Sequence, residues 1–319
     1  MGITQLRGVI PPMIVPFDAN GDIDEGALRD FTSFLLGTVD GLFILGTYGC
    51  GPLLSLEERK RVAEIIVKEV GGRVPVIVHV GSISTRDAVE LAKHAEEIGA
   101  DAVSAVPPFY YHHAEEDVLF YFKRIVDAVN VPVYVYNNPK TVGYAVSVGL
   151  LKRLADIGVH GVKDSSFDLM VLSDFKRKVE KEGFDVVLGT EALFVPASSL
   201  GIKAFIPGLG NAFPELCKEL YDVVMSGAPK DKVIEVHNRV MAVRDLMRLA
   251  NTTTVGAYTM VNLRGIKMYP REPFRPASEE VREKIKEGVK EAWFAMKAIF
   301  ASWRELILNE PIECFSELR

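Results

Sequence analysis

GLFILGTYGCGPLLSLEERKRVAEIIVKEVGG, residues 41–72, holds the fold in miniature. Its opening run, GLFILG, is continuously apolar and short. A strand of that kind is buried on both faces, as in a parallel sheet, and lacks the polar alternation of a half-solvated one. From Ser55 onward the apolar residues recur at helical spacing. Ser55 and Glu58 together have the form of a capping box at a helix start. A glycine-rich turn, GTYGCG (46–51), joins strand to helix.

The same unit recurs along the chain. VPVIVHV (74–80) precedes STRDAVELAKHAEEIG, where Ser84 and Asp87 repeat the capping pattern. DAVSAVPP (101–108), VPVYVYN (131–137), VHGVKDS (159–165), DVVLGT (185–190) and KAFIPG (203–208) are each followed by an amphipathic segment. Gly99, Gly158, Gly183 and Gly201 read as helix stops. With a first strand near residues 8–16 and its helix over 24–37, eight βα units are complete by about residue 227. Eight such units predict an α/β chain closed into a (β/α)8 (TIM) barrel rather than an open doubly wound sheet. The expected division is a barrel over 1–228 that carries the active site and a helical region over 229–319 packed on it. The helices of that second region are broken once, at PREPFRP (270–276).

Composition narrows the function classes. Of 319 residues, 48% are hydrophobic and 25% charged, and the net charge is −6. A mildly acidic chain without basic blocks is a poor partner for nucleic acid or an anionic membrane. No apolar run approaches the ~20 residues that span a bilayer. MGITQLRGVIPPMIVPF, at the N-terminus, carries an arginine and three prolines and reads as a strand, not a secretion signal, so the cytosol is the expected compartment. Cys50, Cys217 and Cys314 are too far apart in sequence for a disulfide framework or a zinc motif, and the six histidines form no HxH or HxxxH pair. No metal and no cofactor is expected.

In a barrel of this kind the chemistry sits at the C-terminal ends of the strands. Lys163 ends VHGVKDS. A lysine walled by apolar strand ends loses its proton more easily, which frees an amine for attack on a ketone. The alternatives are a surface lysine opening a loop, or one paired with Asp164. Tyr136 ends VPVYVY on the preceding strand, and Tyr110 follows Pro107 and Pro108 beyond the strand before that. Either phenol can move protons; either can also be a half-buried aromatic with its hydroxyl in water. The glycines at 46, 49 and 51 permit positive φ and close backbone approach. Successive N–H groups in such a turn form an anion-binding nest, which suits a carboxylate, and Thr47 adds a hydroxyl. The turn contains neither GK[ST] nor a dinucleotide fingerprint.

GTYGCGP (46–52), PPFYY (107–111), YVYNNP (134–139) and GVKDSS (161–166) occur in this order, each after an apolar strand. Together they resemble the pyruvate-dependent aldolase family that contains dihydrodipicolinate synthase, N-acetylneuraminate lyase and 2-keto-3-deoxygluconate aldolase. The resemblance runs from about residue 7 to about residue 290. It implies a class I aldolase that joins pyruvate to a small aldehyde and works as a homotetramer. By this resemblance Lys163 matches the Schiff-base lysine and Tyr136 the proton-relaying tyrosine. Thr47 matches the hydroxyl joined to that tyrosine, and Tyr110 the tyrosine inserted from a neighbouring subunit. Backbone groups of Thr47 and Tyr48 would hold the pyruvate carboxylate, while Gly189 and Ile206 would shape the pocket.

The partner aldehyde rests on departures from the family pattern. Synthases carry an arginine two residues after the proline of the YN-x-P motif; here that place is taken by Thr141, beside Lys140. A lysine does not reproduce a bidentate arginine clamp. Synthases and N-acetylneuraminate lyases tend to read G-[ST]-T-G-E in the second-strand turn, where this chain has Tyr48 and Cys50. Gly51–Pro52 instead resembles the turn of archaeal-type 2-keto-3-deoxygluconate aldolases. Glu191 either accepts bonds from substrate hydroxyls or sits at a helix N-terminus favoured by its dipole. His112 and His113 stand where phosphate-accepting aldolases carry an arginine, which speaks against a phosphorylated substrate. The leading expectation is a 2-keto-3-deoxy sugar acid aldolase, with condensation of pyruvate and aspartate semialdehyde as the alternative. A dehydratase working through the same imine and a non-catalytic pyruvate-binding protein are further readings. A metal-dependent aldolase would need histidine and carboxylate ligands converging at strand ends, and none are seen. The tail over 300–319 has no functional reading.

Overall fold

A computed structural model describes the backbone of residues 5–300 and the side chains of residues 5–292. In chain order it contains β1 (Gly8–Val9), α1 (Glu25–Leu36), β2 (Leu42–Ile44), α2 (Leu56–Val70), β3 (Val76–His79), α3 (Thr85–Glu97), β4 (Ala102–Ala105) and α4 (Glu115–Val126). There follow β5 (Val133–Asn137), α5 (Pro139–Val142), α6 (Val148–Asp156), β6 (Gly161–Asp164), α7 (Leu169–Lys178), β7 (Asp185–Leu188), α8 (Phe194–Ser198), β8 (Ala204–Phe205) and α9 (Pro214–Met225). Last come α10 (Lys230–Met247), α11 (Thr253–Asn262) and α12 (Glu279–Phe300).

All strand pairings are parallel, in the order β1-β8-β7-β6-β5-β4-β3-β2. The ends meet just beyond β1. Met13 donates to the Phe43 carbonyl at 2.9 Å and Phe43 donates to the Pro11 carbonyl at 3.1 Å, so the sheet closes into the expected barrel. The first strand is much shorter than residues 8–16. Pro11, Pro12 and Pro16 have no N–H to give to a ladder, so regular pairing stops at Val9.

Two apolar layers follow from strand alternation. Outward-facing residues such as Val78, Val103, Val135 and Val162 pack under the helices. Inward-facing residues, among them Ile10, Phe43, Ile77, Tyr134, Tyr136, Val187 and Ile206, fill the lumen. The helix starts follow their caps. Ser55 and Glu58 form both bonds of the capping box on α2, and the Ser84 side chain accepts from Asp87 N on α3. Each cap contributes about 1 kcal/mol.

Three elements differ from expectation. Helix α7 stops at Lys178, short of Gly183, because Val179 turns extended and buries its side chain. Helix α8 has only five residues, bounded by Pro196 in its first turn and by Gly201 at φ +79°. The extra helix α5 is a single turn started by Pro139 and ended by Gly143 at φ +90°. Beyond the barrel, α10 packs against α9, α11 and α12, and the proline-rich break separates α11 from α12. No described helix is long and apolar enough to cross a membrane. Residues 301–319, which hold nearly all of the tail and Cys314, lie outside the described residues.

Candidate active site

The register of β5 on β6 sets Tyr136 beside Lys163 and Asn137 beside Asp164. Alternation sends the first pair into the lumen and the second outward. Asp164 therefore accepts from Asn137 Nδ2 and from Ser166 Oγ, both at 2.7 Å, and does not pair with Lys163. Lys163 is 3% exposed. Its Nζ lies 3.7 Å from the Phe43 ring centroid and 3.8 Å from that of Tyr136. Among the described residues no hydrogen bond or carboxylate reaches it. Two ring faces attract a cation by about 2 kcal/mol each, whereas burying an unpaired ion costs several kcal/mol. Burial wins, and the pKa of the amine falls well below its ordinary value.

Above the amine lies a cluster of hydroxyls. The Tyr136 hydroxyl is 3.4 Å from Thr47 Oγ1 and accepts from Asn138 Nδ2 at 3.1 Å; the same Nδ2 lies 3.4 Å from Thr47 Oγ1. Burial raises the pKa of Tyr136, and the Thr47, Ser165 and Asn138 side chains oppose that rise. The phenol is thus a neutral donor and acceptor held against an amine whose proton burial has loosened, with Thr47 opening to solvent.

The GTYGCG turn is built by close approach. A Cβ on Gly49 would lie 2.9 Å from the Met13 carbonyl oxygen, and one on Gly51 would lie 2.0 Å from that of Leu45. The expected positive φ falls elsewhere, on Leu45 (+61°) and Cys50 (+53°), which carry the strain so that the glycines can nest. The backbone N–H groups of Thr47 and Tyr48 donate to no acceptor among the described residues, leaving two donors free beside the Tyr136–Thr47–Asn138 cluster. Cys50 is buried behind the turn, near the Tyr258 hydroxyl, with its thiol pKa pushed up to about 11 by burial. It is an unreactive filler.

The remaining expected residues are distributed around this cluster. Gly189 donates to the Asp164 carbonyl at 2.7 Å, and a Cβ there would lie 1.9 Å from Ser165 Oγ. Ile206 is buried in the lumen layer. Tyr48 reaches across to the Thr253 side chain and lies against Gly208, so its ring closes one wall. Glu191 is buried, and its carboxylate meets Arg244 Nε of α10 at 2.9 Å. It stands three residues before α8 without capping it, and its partners are the Arg244 guanidinium of a distant helix and the backbone N–H groups of Gly208 and of Glu191 itself. Thr141 is exposed and folds back onto the Asn138 carbonyl at 3.2 Å, away from the cluster. Tyr110 is 85% exposed, at φ +80°, and among the described residues its ring meets only Tyr111, so a single chain does not bring it to Lys163.

Several participants carry no mark in the sequence. Asn138 lies inside the YVYNNP motif, but nothing in its spacing shows that its amide joins Tyr136 to Thr47. Ser165, Phe43 and Arg244 are set by register and closure, which no spacing rule reads. Among the described residues no group of three or more His, Cys, Asp or Glu has metal-holding geometry.

The Dihydrodipicolinate synthetase family matches residues 5–292. A 4-hydroxy-tetrahydrodipicolinate synthase of Methanopyrus kandleri is 34% identical over 291 residues, covering 90% of this chain and 96% of that protein. Among solved structures, YagE, an Escherichia coli K12 prophage protein of the dihydrodipicolinic acid synthase family in complex with pyruvate, superposes with a TM-score of 0.86 at 27% identity. The match covers 90% of this chain and 99% of that one. A Ruminococcus gnavus sialic acid aldolase carrying a mutation of its catalytic lysine gives a TM-score of 0.87 at 27% identity, covering 92% of this chain and 97% of that one. These relatives are a synthase, a pyruvate complex and a sialic acid aldolase, so the finer likeness to 2-keto-3-deoxygluconate aldolases rests on sequence motifs: the Gly51–Pro52 turn, PFYY (108–111) and Val142. The chain belongs to the dihydrodipicolinate synthetase family, and it is a carbon–carbon lyase of the class I aldolase type.

Proposed function

We propose that Lys163 forms a Schiff base with pyruvate and that the enamine derived from it adds to an aldehyde, or is released by cleavage of the reverse adduct. One observation carries this reading: a buried, unpaired amine stands against a phenol that belongs to a three-member polar cluster. The neutral amine attacks the keto carbon. Tyr136 gives a proton to the carbinolamine oxygen, water leaves, and the same phenol then takes part in removing a methyl proton to form the enamine. The free N–H groups of Thr47 and Tyr48 receive the pyruvate carboxylate. Gly189 and Ile206 bound the small cavity beside it. Tyr110, turned outward in its own chain, completes the relay of a neighbouring copy in a homotetramer. Two buried free thiols, Cys50 and Cys217, accord with a cytosolic enzyme.

For the aldehyde we favour a 2-keto-3-deoxy sugar acid as the product. Thr141 offers no guanidinium for a second carboxylate, and Arg244 is taken by Glu191. Glu191 is already held by Arg244 and by the backbone N–H groups of Gly208 and of Glu191 itself, which leaves it less free to accept from a substrate hydroxyl. The second reading, condensation of pyruvate with aspartate semialdehyde, is favoured by the names of relatives such as the Methanopyrus kandleri synthase.

Borohydride reduction in the presence of pyruvate, followed by peptide mass spectrometry, is expected to place one adduct on Lys163. An Ala variant at 163 that still traps pyruvate at the same stoichiometry would sink the imine assignment. A panel of aspartate semialdehyde, glyceraldehyde, glyceraldehyde 3-phosphate and N-acetylmannosamine separates the substrates. Exclusive turnover of aspartate semialdehyde selects the second reading.

A further inference from the structure

His79 ends β3 inside the lumen and is 3% exposed. Its Nε2 accepts the backbone N–H of Val106 at 3.2 Å. An imidazolium has no ring lone pair, so this bond requires a neutral ring with its proton on Nδ1. Nδ1 makes no hydrogen bond of full geometry among the described residues, although the Leu45 carbonyl lies near the ring, and Oγ of Ser104, the register partner of His79 on β4, has no partner among them. An apolar side chain would fill the same space without that cost, so the polar ring calls for an explanation.

The ring stands edge-on to Tyr136, with centroids 5.9 Å apart at 89°, and is tilted against Phe43 at 6.1 Å. Phe43 and Tyr136 are the two rings that flank Lys163 Nζ. Of these three rings, His79 alone is bonded to the backbone of another strand end. Its own backbone is fixed from outside the barrel, where buried Arg59 of α2 donates to the His79 carbonyl at 2.7 Å and to the Gly81 carbonyl at 3.0 Å. A Cβ on Gly81 would lie 2.8 Å from His79 Cε1, so glycine there leaves the ring its place. Burial holds the imidazole neutral; the nearby Arg59 guanidinium presses the same way, and the Leu45 carbonyl opposes it. Val106 in turn opens the segment Pro107–Pro108–Phe109 that leads to Tyr110.

We infer that His79 is a positioning residue: a neutral imidazole, locked in one tautomer by Val106, that sets the Tyr136 ring against the Lys163 amine and ties that chamber to the segment carrying Tyr110. It makes no bond to the Tyr136 hydroxyl and is not an acid or base in the reaction. This inference rests on the reading of Lys163 as the imine-forming amine.

The test uses the full chain with His79→Leu, which keeps apolar volume but removes the acceptor, and His79→Gln, whose amide oxygen can take the Val106 N–H. The rate of adduct formation on Lys163 under cyanoborohydride is measured against pyruvate concentration, with a melting curve for each protein. His79→Leu is expected to lower the maximal trapping rate roughly 10- to 100-fold, with half-saturation shifted less than about threefold. His79→Gln is expected to return the rate to within about threefold of the unmodified protein. Leu at the unmodified rate, or Gln as slow as Leu, overturns the inference. Where the Leu variant does not fold, the Gln variant decides alone: near-native trapping supports the inference, and a loss beyond about tenfold overturns it. An unmodified protein that traps no pyruvate overturns the Lys163 reading itself, and is told apart because the failure precedes any substitution.

Discussion

The two ends of the barrel lumen treat a buried ionisable group in opposite ways. At the N-terminal end, Asp185 opens β7, and its Oδ2 accepts the Leu6 N–H at 2.8 Å and the Tyr134 hydroxyl at 3.0 Å. At the other end, two residues further along β5 and β6, Lys163 has ring faces and, among the described residues, no hydrogen bond. Both groups are almost fully buried. The lower carboxylate is a fastener that closes the barrel over the N-terminal segment. The upper amine is held in a state the fold does not favour, which is how reactive groups differ from structural ones.

That contrast can be broken at either end. The largest effect is expected from Lys163→Met, which should abolish pyruvate trapping as read by mass spectrometry. Tyr136→Phe keeps the ring beside the amine but removes the hydroxyl from the Thr47–Asn138 cluster; steady-state turnover should fall about 10²- to 10⁴-fold. At the lower end, Asp185→Leu leaves the Leu6 N–H and the Tyr134 hydroxyl unpaired. Denaturant titration should record a loss of about 2–3 kcal/mol, with trapping on Lys163 little changed. A comparable loss of trapping would mean that the two ends are not independent.

Lys163→Met should also stabilise the fold by about 1–3 kcal/mol near neutral pH, since it removes a buried polar group without a partner. The gain has a definite pH dependence. The folded amine titrates below its ordinary value of 10.5, so between those two points the unfolded chain binds one more proton than the folded one. Stability of the unmodified protein therefore rises with pH across that window, and the advantage of the Met variant shrinks as pH approaches 10.5. A gain that stays constant with pH would contradict the burial argument. The smallest effect is expected from Asp185→Asn, whose amide oxygen can accept both bonds; its cost should stay under about 1 kcal/mol in the same titration.

Much of the barrel is legible in the sequence because parallel strands buried on both faces leave continuous apolar runs, and capped helices announce their starts. The first strand is overread because a proline run looks apolar but cannot feed a ladder. At the site, Lys163 and Tyr136 are legible as strand-end residues, and the structure brings them together. Phe43, His79 and Arg244 are not, since their contacts arise from register across strands and from a helix whose Arg244 returns to Glu191, 53 residues earlier in the chain. Positive φ is misassigned for a related reason. Glycine marks where backbone must come close, while Leu45 and Cys50 take the left-handed conformations, and nothing in their side chains advertises it.

The Glu191–Arg244 pair bears on how the chain could have been assembled. The eight βα units end near residue 227, yet a carboxylate buried at the end of one of them draws its counterion from α10. Removing one partner of such a pair costs about 3–5 kcal/mol, a large share of the 5–15 kcal/mol by which a domain is stable. A division drawn at residue 228 would cut through this pair. Exchanging the helical region between distant relatives would require the acid and the guanidinium to be inherited together.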